Sequence, residues 1–410
     1  MSEKTETLRR VLAEREAERE AEKKSAQEAK DKAKAEAILA ALRYTPREIV
    51  SYLDRFVRQQ DAAKRTLALA VYQHYLGLSQ RENQDSETSF KLPFGSQHIL
   101  LIGNSGCGKS YLVKLLAQLI DVPYYTISAA NLVPSGCLHG FSVNDVLEAL
   151  YLSSNRNLDL TQRAIIFIDE IDKIHLKGEL KHDAFIQGVQ DSLLTALDGS
   201  SFSISSAGQR YLPTSSRIDV DTTGILFICA GAFAGLDKII ERRLQKNQKT
   251  TVGFDLINHN NSEEMRSQQD SQILQKVETA DLVEFGLIPE FVGRFTSVSV
   301  LDSLNSKDLI EILLNSQDSV WQQKQNLFNF YDIELTITPA ALEAIAEKAL
   351  ALNTGVRSLT RIVNDCLREI EFQLPELAQA GISQITVTEQ TLENSSDFVQ
   401  TSSLAKTQSL

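Results

Sequence analysis

Residues 98–120 pass from a short apolar run through a glycine-rich turn into a long apolar stretch. No other part of the chain restricts the fold as much. The run His98-Ile99-Leu100-Leu101-Ile102 has the look of a strand buried on both faces. It leads directly into Gly103-Asn104-Ser105-Gly106-Cys107-Gly108-Lys109-Ser110 and then into a helix-length apolar segment that starts at Tyr111. The turn has the spacing GxxxxGK[ST], the P-loop. Its glycines let successive backbone N–H groups point inward around phosphate oxygens. The helix that follows presents its positive end to the same oxygens. Lys109 is placed to reach the β- and γ-phosphates and Ser110 to hold Mg2+, so ATP and Mg2+ are the expected ligands. Residues 103–111 are the expected nucleotide-binding run. Cys107 lies within that positive field and is open to two readings: a small side chain that fills space, or a thiol whose pKa the field lowers, making it sensitive to mild oxidants.

A second apolar run, Ala164-Ile165-Ile166-Phe167-Ile168, ends in Asp169-Glu170. An apolar strand ending in two acids is a Walker B element. Asp169 is expected to orient Mg2+ and Glu170 to act as general base toward water. Further strands are expected at 124–128 and 225–229, each separated from the next by helical periodicity. Alternation of this kind predicts an α/β fold with a parallel sheet covered on both faces.

The whole chain has 410 residues and a net charge of −12. That balance argues against gripping duplex nucleic acid, which takes a basic footprint. No stretch of about 18 apolar residues occurs, so no membrane partner is expected. Cys107, Cys137, Cys229 and Cys366 form no CxxC pair, so no zinc ribbon is expected. Together with the lack of a secretory leader, this points to a cytoplasmic location.

Composition suggests four segments. Residues 1–43 read as a charged helical arm: positions 1–42 hold ten basic and ten acidic residues, so the net charge falls on the rest. Residues 44–299 read as the large ATPase domain. Residues 300–392 read as a small, mainly helical domain with one strand near 385–388 and a helix closed at Pro375. Residues 393–410 are polar and read as a disordered tail. The polar stretch at 200–216, flanked by strand-like stubs, reads as an exposed hairpin or loop, and 246–271 reads as a second long polar loop.

The P-loop together with Ile168-Asp169-Glu170-Ile171-Asp172-Lys173 resembles the AAA+ ATPases. Further runs resemble the ClpX family, unfoldase partners of the ClpP peptidase: AVYQHY at 70–75, ILFICAGAFAGLDK at 225–238, FGLIPEFVGR at 285–294 and TGVRSLTRIV at 354–363. The resemblance spans roughly residues 44–392. It implies that Arg294 is an arginine finger acting on the neighbouring subunit's nucleotide, that Arg357 senses the phosphates from the small domain, and that Val57 lies on the adenine side. It also implies a homohexameric ring that threads unfolded or tagged proteins through its pore into a ClpP-type peptidase. The pore loop would be Gly140-Phe141-Ser142-Val143, and the peptidase would dock on Val252-Gly253-Phe254. The second pore segment, Gly208-Gln209-Arg210-Tyr211, keeps one clear positive charge where the family has three basic residues. The adenine-side segment reads Val57-Arg58-Gln59-Gln60 where the family has Val-Ile-Gly-Gln. The family's four-cysteine zinc domain has no counterpart. These departures leave two alternatives open: a remodelling ATPase that acts without degradation, and a weakly hydrolysing, nucleotide-switched regulatory subunit.

Overall fold

The computed structural model describes residues 43–82, 97–134, 140–176, 178, 180–205, 217–248, 271–352, 354–394 and 397–402. The arm 1–42, the segment 208–211, the tripeptide Val252-Gly253-Phe254 and Cys137 lie outside the described residues. The elements run in the order α1 (Pro46–Phe56), α2 (Asp61–Glu82), β1 (His98–Ile102), α3 (Lys109–Ile120), β2 (Tyr124–Ser128), α4 (Val143–Ser153), α5 (Leu158–Thr161), β3 (Ile165–Asp169), α6 (Leu180–Leu197), β4 (Ser201–Ser205), β5 (Arg217–Asp221), β6 (Leu226–Gly231), α7 (Leu236–Gln248), α8 (Thr279–Phe285), α9 (Pro289–Val292) and β7 (Phe295–Val300). There follow α10 (Ser306–Asn315), α11 (Val320–Asn329), β8 (Glu334–Ile337), α12 (Pro339–Ala351), α13 (Val356–Gln379), β9 (Ile382–Val387), α14 (Glu389–Glu393) and β10 (Val399–Ser402).

Five strands form one sheet in the order β2-β3-β6-β1-β7, and every neighbouring pair is parallel. The apolar runs are continuous because both faces are covered. Ile99 and Leu101 of β1 enter one core with Leu53, Leu67, Val71, Leu112 and Leu116 of α1, α2 and α3. Leu100 and Ile102 enter the opposite core with Leu147, Leu150, Val189, Leu193, Ile240 and Leu282 of α4, α6, α7 and α8. The strands being parallel, their C-terminal ends share one edge, where ligands bind in open α/β sheets.

The edge strand β7 has no counterpart among the expected strands. Its sequence Phe295-Thr296-Ser297-Val298-Ser299-Val300 is polar at 296, 297 and 299, and Thr296 and Val298 are exposed, as an edge permits. Leu301 packs in the same core as β1, so the sheet unit extends past the boundary expected at 299. Strands β4 and β5 form the antiparallel hairpin expected around the polar stretch.

The C-terminal unit has its own core, with Leu309, Leu313, Trp321, Phe328, Ile345, Leu359, Val363, Leu367, Ile370 and Ile385 buried together. It carries more sheet than expected: β8 pairs parallel to β9, and β10 pairs antiparallel to β9. Residues 399–402, in the stretch expected to be a disordered tail, are therefore a strand. Backbone pairing to Ile382–Val387 supplies order that their polar composition does not signal. Helix α13 also runs through Pro375 to Gln379. Leu374 and Leu377, on either side of the proline, both pack in this core, and that burial offsets the missing N–H bond. No helix among the described residues is long and apolar enough to cross a membrane.

Candidate nucleotide site

The turn after β1 wraps a cleft of about 470 Å³ lined by Ser105, Gly106, Gly108, Lys109, Ser110 and Tyr111 from the loop and α3, by Asp169, Glu170, Asp172 and Lys173 from the end of β3, by Ala232 after β6, and by Val356, Arg357 and Thr360 from α13. Strand β6 lies between β1 and β3, so the P-loop and the acidic pair face each other across it. Lys109 is buried at the mouth of the helix. Its ammonium donates to the carbonyls of Gly103 (2.5 Å) and Asn104 (2.9 Å). A cation held over its own loop's carbonyls marks where anionic oxygens are to be met.

Ser110 Oγ donates to Asp169 Oδ2 at 2.9 Å. A hydroxyl and a carboxylate in contact at the end of the P-loop are hard oxygen donors that fit Mg2+, with water completing its shell. Glu170 sits in left-handed backbone geometry, φ +56°, at the very end of β3. Such geometry costs a non-glycine residue of order 1 kcal/mol or more and is concentrated at functional sites. The Glu170 side chain is engaged by Ser128 Oγ, which donates to Oε2 at 2.5 Å. Ser128 escaped the sequence reading. Its signal was register: it ends β2 and pairs with Asp169 of β3. Asp172 is a second unforeseen contributor. It is buried, and its Oδ1 accepts the N–H of Ala232 at 3.2 Å, which ties the acidic turn to the end of β6.

The C-terminal unit closes the cleft at close range. Val356 N donates to Gly106 O at 3.2 Å. A Cβ on Gly106 would stand 2.0 Å from Thr354 O, and one on Gly355 would stand 2.6 Å from Gly106 O. Both positions have positive φ, so glycine is required at each. Arg357 thereby reaches the loop, with Nη1 3.3 Å from Ser105 Oγ. Beyond Tyr111 a further cleft of about 720 Å³ runs between α3 and the C-terminal unit, lined by Phe56, Tyr111, Leu115, Ile312, Leu313 and Leu359 among others.

Val57 is buried in the sheet core and lines neither of these two clefts, while Phe56 faces the larger one. Of the expected pore residues only Phe141 presents an exposed side chain, at 49%. Gly140, φ +103°, abuts Val133. Ser142 caps α4, its N–H and hydroxyl donating to Asp145 Oδ2 at 2.7 and 2.6 Å, and Val143 is buried in the core. Cys107 is not an activated thiol. Burial pushes its pKa up, which outweighs the opposing effect of Lys109.

Arg294 stands apart from its own chain's cleft. It follows α9 and forms an ion pair with Asp198, which follows α6. Its Nε contacts Oδ1, and Nη2 donates to Oδ2 at 3.1 Å. The guanidinium is about half exposed.

A parallel sheet carrying a P-loop, an acidic pair one strand away and a small C-terminal unit that contributes an arginine defines an AAA+ ATPase. Comparison agrees: residues 96–298 match the family described as AAA domain (Cdc48 subfamily), and residues 304–383 match the C-terminal, D2-small domain, of ClpB protein. The chain is 36% identical over 353 residues to the ATP-dependent Clp protease ATP-binding subunit ClpX of Borrelia duttonii (strain Ly) and to that of Borrelia recurrentis (strain A1), covering 85% of this chain and 79% of each relative. It is 35% identical over 355 residues to the ClpX of Treponema denticola, covering 86% of this chain and 82% of that protein. The chain belongs to the ClpX family.

Proposed function

We propose that this ClpX-family ATPase works as a homohexameric, cytoplasmic protein unfoldase that threads tagged or unfolded chains toward a ClpP-type peptidase and has no peptidase activity of its own. The observation that carries the reading is the split of charged groups. Lys109, Ser110, Asp169, Glu170 and Arg357 converge on one cleft, while Arg294 is held outside it by Asp198. An arginine finger that cannot serve its own cleft is suited to a neighbour's, and a ring supplies that neighbour.

ATP supplies the phosphoanhydride bond, and Mg2+, held by Ser110 and Asp169, supplies charge neutralisation when bound. The chain's own residues do the rest. The Lys109 ammonium exchanges two carbonyl contacts for phosphate oxygens. Glu170 accepts a proton from water at its carboxylate. Ser128 orients that carboxylate. Arg357 brings the C-terminal unit onto the loop, so the cleft's occupancy is felt as a change in the angle between the two units. Phe141, exposed at the start of α4, is the residue suited to press on a substrate chain.

The reading is tested with an unstructured or tagged fluorescent substrate, ATP and the host's own ClpP-type peptidase. Loss of fluorescence that needs ATP and the peptidase, and that disappears in Phe254→Ala with ATPase activity kept, supports it. ATP-dependent substrate unfolding with no peptidase association would favour remodelling without degradation.

A further inference from the structure

We propose that His98, the first residue of β1, is a positioning residue for Arg294: it fixes the aim of the finger that each subunit offers its neighbour. This rests on the reading of Arg294 as a finger acting across the interface, and it names the residue on which that aim depends.

Arg294 precedes β7, His98 opens β1, and the two strands run parallel. The P-loop follows the other end of β1. Five residues at about 3.3 Å each put roughly 16 Å of strand between His98 and the loop. His98 therefore belongs to the edge of the sheet that carries Arg294, away from the chain's own phosphate site.

His98 starts an apolar strand with a polar ring, and it is 2% exposed. A buried ring needs partners for both nitrogens. Phe227 N donates to Nδ1 at 3.3 Å, so Nδ1 carries the lone pair and Nε2 the proton. Nε2 donates in turn to the Leu197 carbonyl at 2.9 Å. Burial lowers the pKa of the ring to about 4, which keeps this neutral form near pH 7. Leu197 is the last residue of α6, and the final carbonyls of a helix have no partner within it. Thr222 Oγ1 donates to Ala196 O at 2.8 Å and His98 to Leu197 O, so two side chains anchor the helix end. Asp198, which holds Arg294, is the next residue.

The backbone of His98 grips the other side of the ion pair. Its carbonyl accepts the Thr296 hydroxyl at 3.1 Å. His98 pairs with Phe295 and Ile99 with Ser297, so Thr296 is an extra residue in β7, a bulge. A bulge bends its strand and re-aims the side chains beside it. This one lies two residues after Arg294. A single residue thus ties down both partners: the ring holds the chain one residue before Asp198, and the carbonyl holds it two residues after Arg294. Without the ring contact the end of α6 is free to shift, and Asp198 takes Arg294 with it.

Subunit mixing tests this, because a finger defect and a base defect are repaired by different partners. ATPase rates at saturating ATP are measured on rings of the full chain. His98→Leu removes both ring contacts. It should lower kcat about tenfold, a part of the roughly 10³–10⁵-fold that an arginine finger contributes, with KM within about twofold. Mixed with Glu170→Gln it should give activity above the weighted sum of the two, since the partner brings an intact finger to an intact base. Mixed with Arg294→Ala it should give no gain, since neither partner brings a directed finger. His98→Gln, whose amide supplies one donor and one acceptor, should restore kcat to within about twofold of wild type. Wild-type kcat in His98→Leu, a gain with Arg294→Ala, or a His98→Gln variant as slow as His98→Leu would overturn the proposal. Should His98→Leu not assemble, Thr296→Val, at an exposed position, removes the backbone contact and enters the same mixtures with the same expected pattern, and wild-type kcat there would overturn the proposal. Arg294→Ala mixed with Glu170→Gln is the control. No gain in the control defeats the reading of a finger across the interface, whereas a gain in the control and none for His98→Leu with Glu170→Gln defeats the role of His98 alone.

Discussion

Ser128 Oγ donates a 2.5 Å hydrogen bond to Glu170 Oε2, linking the last residue of β2 to the acid that immediately follows β3. A hydroxyl at that distance fixes the rotamer of the carboxylate. Ser128→Ala should lower kcat for ATP hydrolysis about tenfold, a part of the roughly 10²–10⁴-fold that a positioned general base contributes, and leave KM within about twofold. Ser128→Thr, which keeps the hydroxyl, should restore kcat. An unchanged kcat in Ser128→Ala would remove Ser128 from this role.

Asp198 holds Arg294 through two contacts. Both side chains are more than a third exposed, so the pair contributes little to stability. Its effect should be on aim. Asp198→Ala should leave the thermal midpoint within about 1 °C, in keeping with the small worth of exposed ion pairs. ATP binding should be unchanged, and hydrolysis should drop severalfold because the finger is no longer directed. Equal hydrolysis by Asp198→Ala and wild type would show that Arg294 needs no guide.

Two buried histidines set an acid limit. Burial lowers His74 and His98 to about 4 from 6.5. His74 Nε2 contacts Gly224 O at 3.0 Å, and His98 Nε2 contacts Leu197 O at 2.9 Å. Both folded values lie below the unfolded one, so the unfolded chain takes up protons first as pH falls. Stability is fully present above pH 6.5 and is lost progressively down to pH 4, by about 3 kcal/mol per histidine. Denaturant unfolding at pH 7.5, 6 and 5 measures this. His98→Gln should flatten the dependence by about half. A wild-type midpoint that does not move between pH 7.5 and 5 would contradict it.

Much of the architecture was legible because it rests on local pattern. The run His98–Ile102 is apolar after its first residue since both faces of β1 are covered, and the P-loop follows it directly. Asp169 and Glu170 announce themselves at the end of Ile165–Asp169 for the same reason. What escaped depends on pairing between distant segments. Strand β7 is half polar because it is an edge, and β10 takes its backbone pairing from β9. Ser128 gains its place from strand register, and the contacts of His98 with Leu197 and Phe227 span 99 and 129 positions of sequence. Sequence alone leaves two readings of Cys107 open because the loop's field is visible there and the burial that opposes it is not; burial decides for the space-filling side chain.

The central claim is that each cleft is completed by the next subunit, and subunit mixing tests it most directly. Alone, Glu170→Gln should bind ATP and hydrolyse it at least about 100-fold more slowly, as loss of a general base implies. Alone, Arg294→Ala should bind ATP and lose most hydrolysis. Mixed rings place an intact Glu170 beside an intact Arg294 at some interfaces, so ATPase activity measured across mixing ratios should rise above both parents and peak near equal proportions. Activity that never exceeds the weighted sum of the two variants at any ratio, in rings shown to have exchanged subunits, would contradict a finger acting across the interface.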